Sequence, residues 1–315
     1  MFDLVQQRLP DLITVFLGIF LEATPFLLVG VLVSSVLEIV VSEDRLLRWL
    51  PRNALVGLLG GVAVGAAAPL CECGTVPIAR SCVSKGLPLP AAVGFLLAAP
   101  VINPVTVTAT YTAFHSNLQI LVLRVTLGIA IALAVGGLFL LWPRDEPALR
   151  VSRTGDPADS HHRHEHDHGC DQSRAKRVSL LARLLDLLHH SASELSSLAV
   201  YLIGACLVAS LLQVFLPRTQ LLSIGQGPLL SVLIMMAVAV ILSTCSSVDA
   251  FVALAFSTTF APGAILAFLL ISPVLNLKSG ALVLGLFRPG VAMPLLATST
   301  AAVLLAALSI NYHLL

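Results

Sequence analysis

Long apolar runs separated by short polar breaks account for most of this chain. The first run, residues 12–41, is longer than the roughly 7–15 residues of a signal-peptide core and long enough to cross a bilayer, which takes about 20. It predicts a retained first transmembrane helix holding Glu22, Pro25 and Glu38. A charged connector follows at 42–53. Residues 54–84 then make a run too long for one comfortable span and too short for two. The first part is rich in small residues that suit close helix packing. Pro69, Gly74 and Pro77 then interrupt it, because proline removes a backbone donor and kinks a helix. The pattern predicts a discontinuous helix or re-entrant hairpin with Cys71-Glu-Cys73 at the break. Residues 87–114 read as a span broken at Pro100-Val-Ile-Asn-Pro104, and 118–141 as a plain span ending at Trp142.

After a polar stretch the pattern starts again. Residues 194–216, 227–260, 262–287 and 291–310 read as span, broken span, broken span and span. Glu22 and Glu194 stand at matched distances before Cys71 and Cys245, and Cys71 and Cys245 at matched distances before Pro100 and Pro273. Phe95-Leu-Leu-Ala-Ala-Pro-Val-Ile-Asn103 agrees with Phe268-Leu-Leu-Ile-Ser-Pro-Val-Leu-Asn276 at every Phe, paired Leu, Pro, Val and Asn position. Two copies with broken apolar segments at corresponding places point to a transporter with its site where the copies meet. The expectation is an all-α polytopic integral membrane protein with two homologous repeats. It has eight full spans, or ten segments if broken pieces count separately. Repeat one is residues 1–142, a linker occupies 143–193, and repeat two is 194–315.

Composition sharpens this. Only 11% of residues are charged and 57% are hydrophobic, against about 25% charged in soluble domains; mean hydropathy is +0.95. The lipid bilayer is the expected surrounding. A net charge of +1 with no basic patch argues against a nucleic-acid partner. The linker carries Arg144, Arg150, Arg153, Arg163, Arg174, Lys176, Arg177 and Arg183. The positive-inside rule puts it in the cytoplasm, in a cell inner membrane. The six cysteines follow no secreted-domain spacing, so free thiols are expected.

Ionisable groups inside apolar runs are functional candidates by default. Cys71 and Cys73 would point about 200° apart on a regular helix, but a break lets them converge. With Cys245 they offer three thiolates, which suit a soft solute: copper(I), zinc, or trivalent arsenic or antimony. The plainer reading of each is a small buried hydrophobe, and it is the one preferred for Cys82 and Cys206. Glu72, Asp249, Glu22 and Glu194 are candidates for proton or cation coupling; near an interface they would simply be solvated. Asn103 and Asn276 can line a central site, cap a resumed helix, or do both. In the linker, His161, His162, His164, His166, His168 and Cys170 form a low-complexity run able to chelate zinc, copper or nickel, without zinc-finger spacing.

Pro69-Leu-Cys-Glu-Cys-Gly-Thr-Val-Pro77, with Gly86 through Pro100-Val-Ile-Asn-Pro104, closely resembles the ArsP/YraQ-like permeases of bacteria. The resemblance covers both halves and omits the His-rich linker. It implies a multipass inner-membrane permease, in a family some of whose members export trivalent organoarsenicals, with Cys71, Cys73 and Cys245 as functional positions. Where a second Cys-x-Cys would complete the symmetry this chain has Cys245-Ser-Ser247. No G-x-x-x-x-G-K-[ST] phosphate loop occurs, so coupling to an ion gradient or a separate partner is expected rather than enzymatic turnover. Two other classes stay open: a membrane thiol oxidoreductase cycling Cys71 and Cys73, and a metal-sensing membrane protein driven by the His run. A homo-oligomer is compatible with either half of the pattern.

Overall fold

The computed structural model describes residues 2–40, 53–115, 117–141, 148–149, 180–215, 227–246, 248–257 and 259–314. Before the linker lie α1 (Phe2–Val40), α2 (Ala54–Ala67), α3 (Glu72–Ser84), α4 (Leu89–Ile102), α5 (Pro104–Ala113) and α6 (Leu118–Leu138). After it come α7 (Leu180–Phe215), α8 (Pro228–Leu242), α9 (Asp249–Phe256), α10 (Pro262–Ile271), α11 (Leu277–Leu286) and α12 (Pro289–Leu314). Among the described residues there is no strand, only an isolated bridge between Leu149 and Phe287. The His161–Cys170 run lies outside the described residues.

Five stretches are long and apolar enough to cross a membrane: Leu9–Leu37, Leu89–Ala113, Leu118–Leu141, Leu195–Val214 and Pro289–Tyr312. Their outward faces are apolar; Leu21, Val122, Val200 and Leu305 are all more than half exposed. The inside, by contrast, holds Glu72, Asn103, Arg124, Asp249, Asn276 and Lys278, each at most 2% exposed. Apolar outside and polar inside is the arrangement a lipid solvent dictates. The chain is a polytopic membrane protein.

The packing partners recur on either side of the linker. Helix α2 packs on α4 as α8 does on α10, α4 on α6 as α10 on α12, and α2 on α6 as α8 on α12. Across the two sets, α3 packs on α11 and α5 on α9, while α1 meets α7 and α6 meets α12. Glycines permit the closest crossings. A Cβ on Gly30 of α1 would stand 2.5 Å from the Cα of Gly74 on α3, and the Gly61 position faces the Ala91 carbonyl of α4 as tightly.

The breaks fall where polar residues were expected, with differences of detail. The run 54–84 stops at Ala67 and restarts at Glu72, but Gly74 and Pro77 lie inside α3, so of the three expected breakers only Pro69 sits in the gap. Pro100 is inside α4; the interruption is Asn103, because the residue before Pro104 is pushed into extended backbone. Helix α7 begins at Leu180, inside the stretch read as linker, rather than at Glu194.

Candidate functional site

Each break leaves backbone groups without helical partners, and side chains from neighbouring elements supply them. Asn103 donates from Nδ2 to the Leu70 carbonyl at 2.8 Å and to the Ala99 carbonyl at 2.7 Å, while its Oδ1 accepts from the Thr106 N–H at 2.7 Å. One amide thus caps α5 and ties down the gap before Cys71. Asn276 does the same on the other side. Its Oδ1 accepts from the Ser279 N–H at 2.7 Å, its Nδ2 donates to the Ser272 carbonyl at 2.9 Å, and Ser279 completes a capping box. Both asparagines cap a resumed helix, one of the two roles expected of them.

The gap between α8 and α9 is shaped by Ser243, the only non-glycine among the described residues with positive φ, at 47°. Its hydroxyl accepts from the Leu277 N–H at 3.0 Å, and Gln213 of α7 donates to the Leu242 carbonyl at 2.7 Å. These contacts hold Cys245 in the interior. Its N–H donates to Glu22 Oε1 of α1 at 3.3 Å.

Cys71 is the N-cap of α3, and Glu72 is that helix's first residue. The Cys71 thiol lies in hydrogen-bonding reach of the thiols of Cys245 and Cys73. Cys71, Glu72 and Cys245 each present a ligand atom, all within 4.8 Å of one another and all buried. Cys73, 1% exposed, stands beside Cys71 but outside that tight triad. The donor set already assembled is therefore two thiols and a carboxylate, with the third thiol adjacent. This is a set that suits a soft or borderline-soft centre. Among the described residues, Cys71, Cys73, Cys82, Cys206 and Cys245 are not joined in disulfides.

Charge is concentrated at the same place. Glu72 Oε1 accepts from Asn276 Nδ2 at 3.4 Å and lies 4.0 Å from Lys278 Nζ, forming a buried ion pair. Glu72 Oε2 has no partner. A small cavity of about 20 Å³, room for about one water, runs from Glu72 and Thr75 between α3, α4, α11 and α12. Apart from Ser279 its other walls are apolar, among them Leu96, Leu97, Pro273 and Val283.

Of the expected site residues, the structure brings together Cys71, Glu72, Cys73, Cys245, Glu22 and Asn276. Asn103 stands one step back, holding the Leu70 carbonyl. Asp249 heads α9, wholly buried, with Oδ1 accepting from the Thr244 hydroxyl. Glu194 is on α7, but its side chain lies outside the described residues, as do His161, His162, His164, His166, His168 and Cys170. Sequence reasoning passed over Arg124. It is 1% exposed and donates from Nη1 to Thr110 Oγ1 at 2.8 Å. The signal was present, since a lone arginine within the apolar run 118–141 is itself a marker.

Broken helices whose interruptions meet around buried thiols and charges define a polytopic membrane protein with a polar intramembrane centre. The comparisons give the family. A family model, ArsP_1, described as "Predicted permease", matches residues 8–312. UPF0718 protein YcgR of Bacillus subtilis is 34% identical over 283 residues, 90% of this chain and 91% of its own length. A "putative two-component membrane permease complex subunit" of Streptococcus mutans is 33% identical over 293 residues, 93% of this chain and 92% of its own. UPF0718 protein YraQ of Escherichia coli is 25% identical over 132 residues, 42% of this chain and 38% of its own. The chain belongs to this ArsP/YraQ-like family of predicted membrane permeases. No solved structure matches it.

Proposed function

We propose that this permease exports a soft, thiophilic solute through a site at the centre of the membrane, where the helices before and after the linker meet. The solute is a trivalent arsenical or antimonial, or a copper or zinc ion. The observation that carries the reading is the buried triad of Cys71, Glu72 and Cys245, with Cys73 beside it. The thiols come from both sides of the linker, so relative movement of the two sets of helices changes the ligand set. Cys71, Cys73 and Cys245 bind the solute, and Asn103 and Asn276 hold the breaks in shape. Glu72, Glu22, Asp249 and Glu194 take part in coupling to an ion gradient. The packing pairs that recur across the linker support two repeats. Counting α2 with α3, α4 with α5, α8 with α9 and α10 with α11 as one broken crossing each gives eight spans. Alternating access then comes from one repeat rocking against the other.

On this reading the protein sits in the inner membrane with the linker in the cytoplasm, where its His-rich run binds zinc, copper or nickel and tunes transport. The name of the Streptococcus mutans relative supports a second subunit as partner.

The closeness of Cys71 and Cys73 also favours one rival, a thiol oxidoreductase that cycles the two to a disulfide. One experiment separates them. Accumulation of arsenite, methylarsenite, copper and zinc is measured in a sensitised bacterial strain expressing wild type, Cys71→Ser/Cys73→Ser or Cys245→Ser. The permease reading expects lower accumulation of one solute with the wild type, lost in both variants. An oxidoreductase changes none of them and leaves Cys245→Ser active in thiol exchange.

A further inference from the structure

Two buried acids head the two short helices that follow the breaks, and each has a buried cation from the other side of the linker nearby. Glu72 of α3 faces Lys278 of α11, and Asp249 of α9 lies across the α5–α9 contact from Thr110, which holds Arg124 of α6. The first pair is made, at 4.0 Å. The second is not. No ion pair joins Arg124 to Asp249, although Asp249 is the charged group whose field acts on Arg124. Arg124 Nη1 is taken by Thr110, while Nε and Nη2 have no hydrogen-bond partner. Asp249 Oδ1 is taken by Thr244, while Oδ2 has none.

Nε and one Nη form the edge of a guanidinium that receives a carboxylate side-on through two parallel hydrogen bonds. That edge is the vacant part of Arg124. An unpaired charge in a membrane interior is costly, so a vacant fork near a half-vacant carboxylate favours an arrangement that joins the two. We propose that Arg124 is a positioning residue that forms a charge latch with Asp249 between the two repeats. The latch is open in this structure and closes when the permease turns its thiol site to the other side of the membrane. The proposal rests on the alternating-access reading above. Thr110 and Thr244 hold the two groups in readiness from α5 and from the break before α9, elements already packed on each other through the α5–α9 contact.

The test uses the full chain in right-side-out and inverted membrane vesicles. A membrane-impermeant maleimide is applied, and labelling of Cys71 is quantified by peptide mass. No solute is needed. The wild type is expected to be labelled at Cys71 from both sides. Arg124→Gln and Asp249→Asn are expected to lose labelling from one side by about tenfold or more, the response to an order-of-magnitude shift between states. The charge-swapped double variant, Arg124→Asp with Asp249→Arg, restores it. Arg124→Lys keeps the charge without the fork, guards against loss of folding, and is expected to fall between wild type and Arg124→Gln. Two-sided labelling in the single variants, or a double variant no better than either single, overturns the latch. One-sided labelling of the wild type overturns alternating access itself, and the cargo assay above is untouched by either result.

Discussion

Helix α1 can approach α3 closely only because both carry glycine at the crossing. Replacing Gly30 by alanine places a Cβ 2.5 Å from the Cα and 2.6 Å from the carbonyl oxygen of Gly74. Both are backbone atoms that cannot rotate away. Carbon atoms rest at about 3.5–4.0 Å, so the helices must separate by about 1 Å. Overpacking of this kind costs about 1–3 kcal/mol. The displacement also reaches the site, because α3 begins with Glu72 and α1 carries the Glu22 carboxylate that accepts from Cys245 at 3.3 Å. That contact has little slack, since beyond about 3.5 Å it stops being a hydrogen bond. Gly18, three turns earlier on α1, has nothing within 4 Å of an added Cβ. Gly18→Ala should therefore be harmless or gain up to about 1 kcal/mol from helix propensity. The assay is thermal unfolding of the detergent-solubilised protein, read by size exclusion, with solute export measured beside it. Gly30→Ala should melt lower and export less, while Gly18→Ala melts at or above wild type. Equal melting of the two variants would refute the close crossing as the reason for Gly30.

Other substitutions separate the roles of the polar centre. Asn276→Ala removes the cap of α11 and a donor to Glu72, and should lose about 1–2 kcal/mol of stability in the same melt; Asn276→Asp keeps a capping oxygen but faces Glu72 with like charge, and should export less than its stability implies. Lys278→Met leaves Glu72 as an uncompensated buried charge and should cost about 3–5 kcal/mol, much of it recovered in the double variant with Glu72→Gln; an additive double variant would show that the pair is not coupled. Asn311→Leu strips the acceptor from the buried Gly263 N–H, 3.0 Å away, and should cost about 1–3 kcal/mol without altering thiol labelling.

The membrane class and the places where helices stop were legible because lipid enforces simple rules. Apolar runs must be helices, and polar residues within them must be covered. The matched Pro-Val-x-Asn segments marked both asparagine caps before any geometry was known. Which residue breaks each helix was less legible, since proline is an ambiguous signal. Pro77 and Pro100 ride inside helices, and the Pro100 carbonyl, which Pro104 leaves without an amide partner, accepts from Thr106 Oγ1 at 3.3 Å. The meeting of Cys71 with Cys245 was anticipated from symmetry. That Cys73 would stand outside the triad and Glu72 inside it was not, because orientation at a break depends on contacts from distant helices. Arg124, Gln213 and Ser243 escaped notice for a related reason. Gln213 and Ser243 serve gaps elsewhere in the chain and Arg124 holds Thr110 on another helix, and sequence distance hides such partners.

The central claim is that thiols from both sides of the linker meet at one site. It is tested most directly by treating a variant that retains only Cys71 and Cys245 with dibromobimane, then cleaving the arginine-rich linker with trypsin. Ligand atoms within 4.8 Å predict that the two fragments stay joined on a denaturing gel and carry bimane fluorescence. Fragments that separate, in a protein that reaches the membrane and is alkylated at each cysteine, would contradict the account.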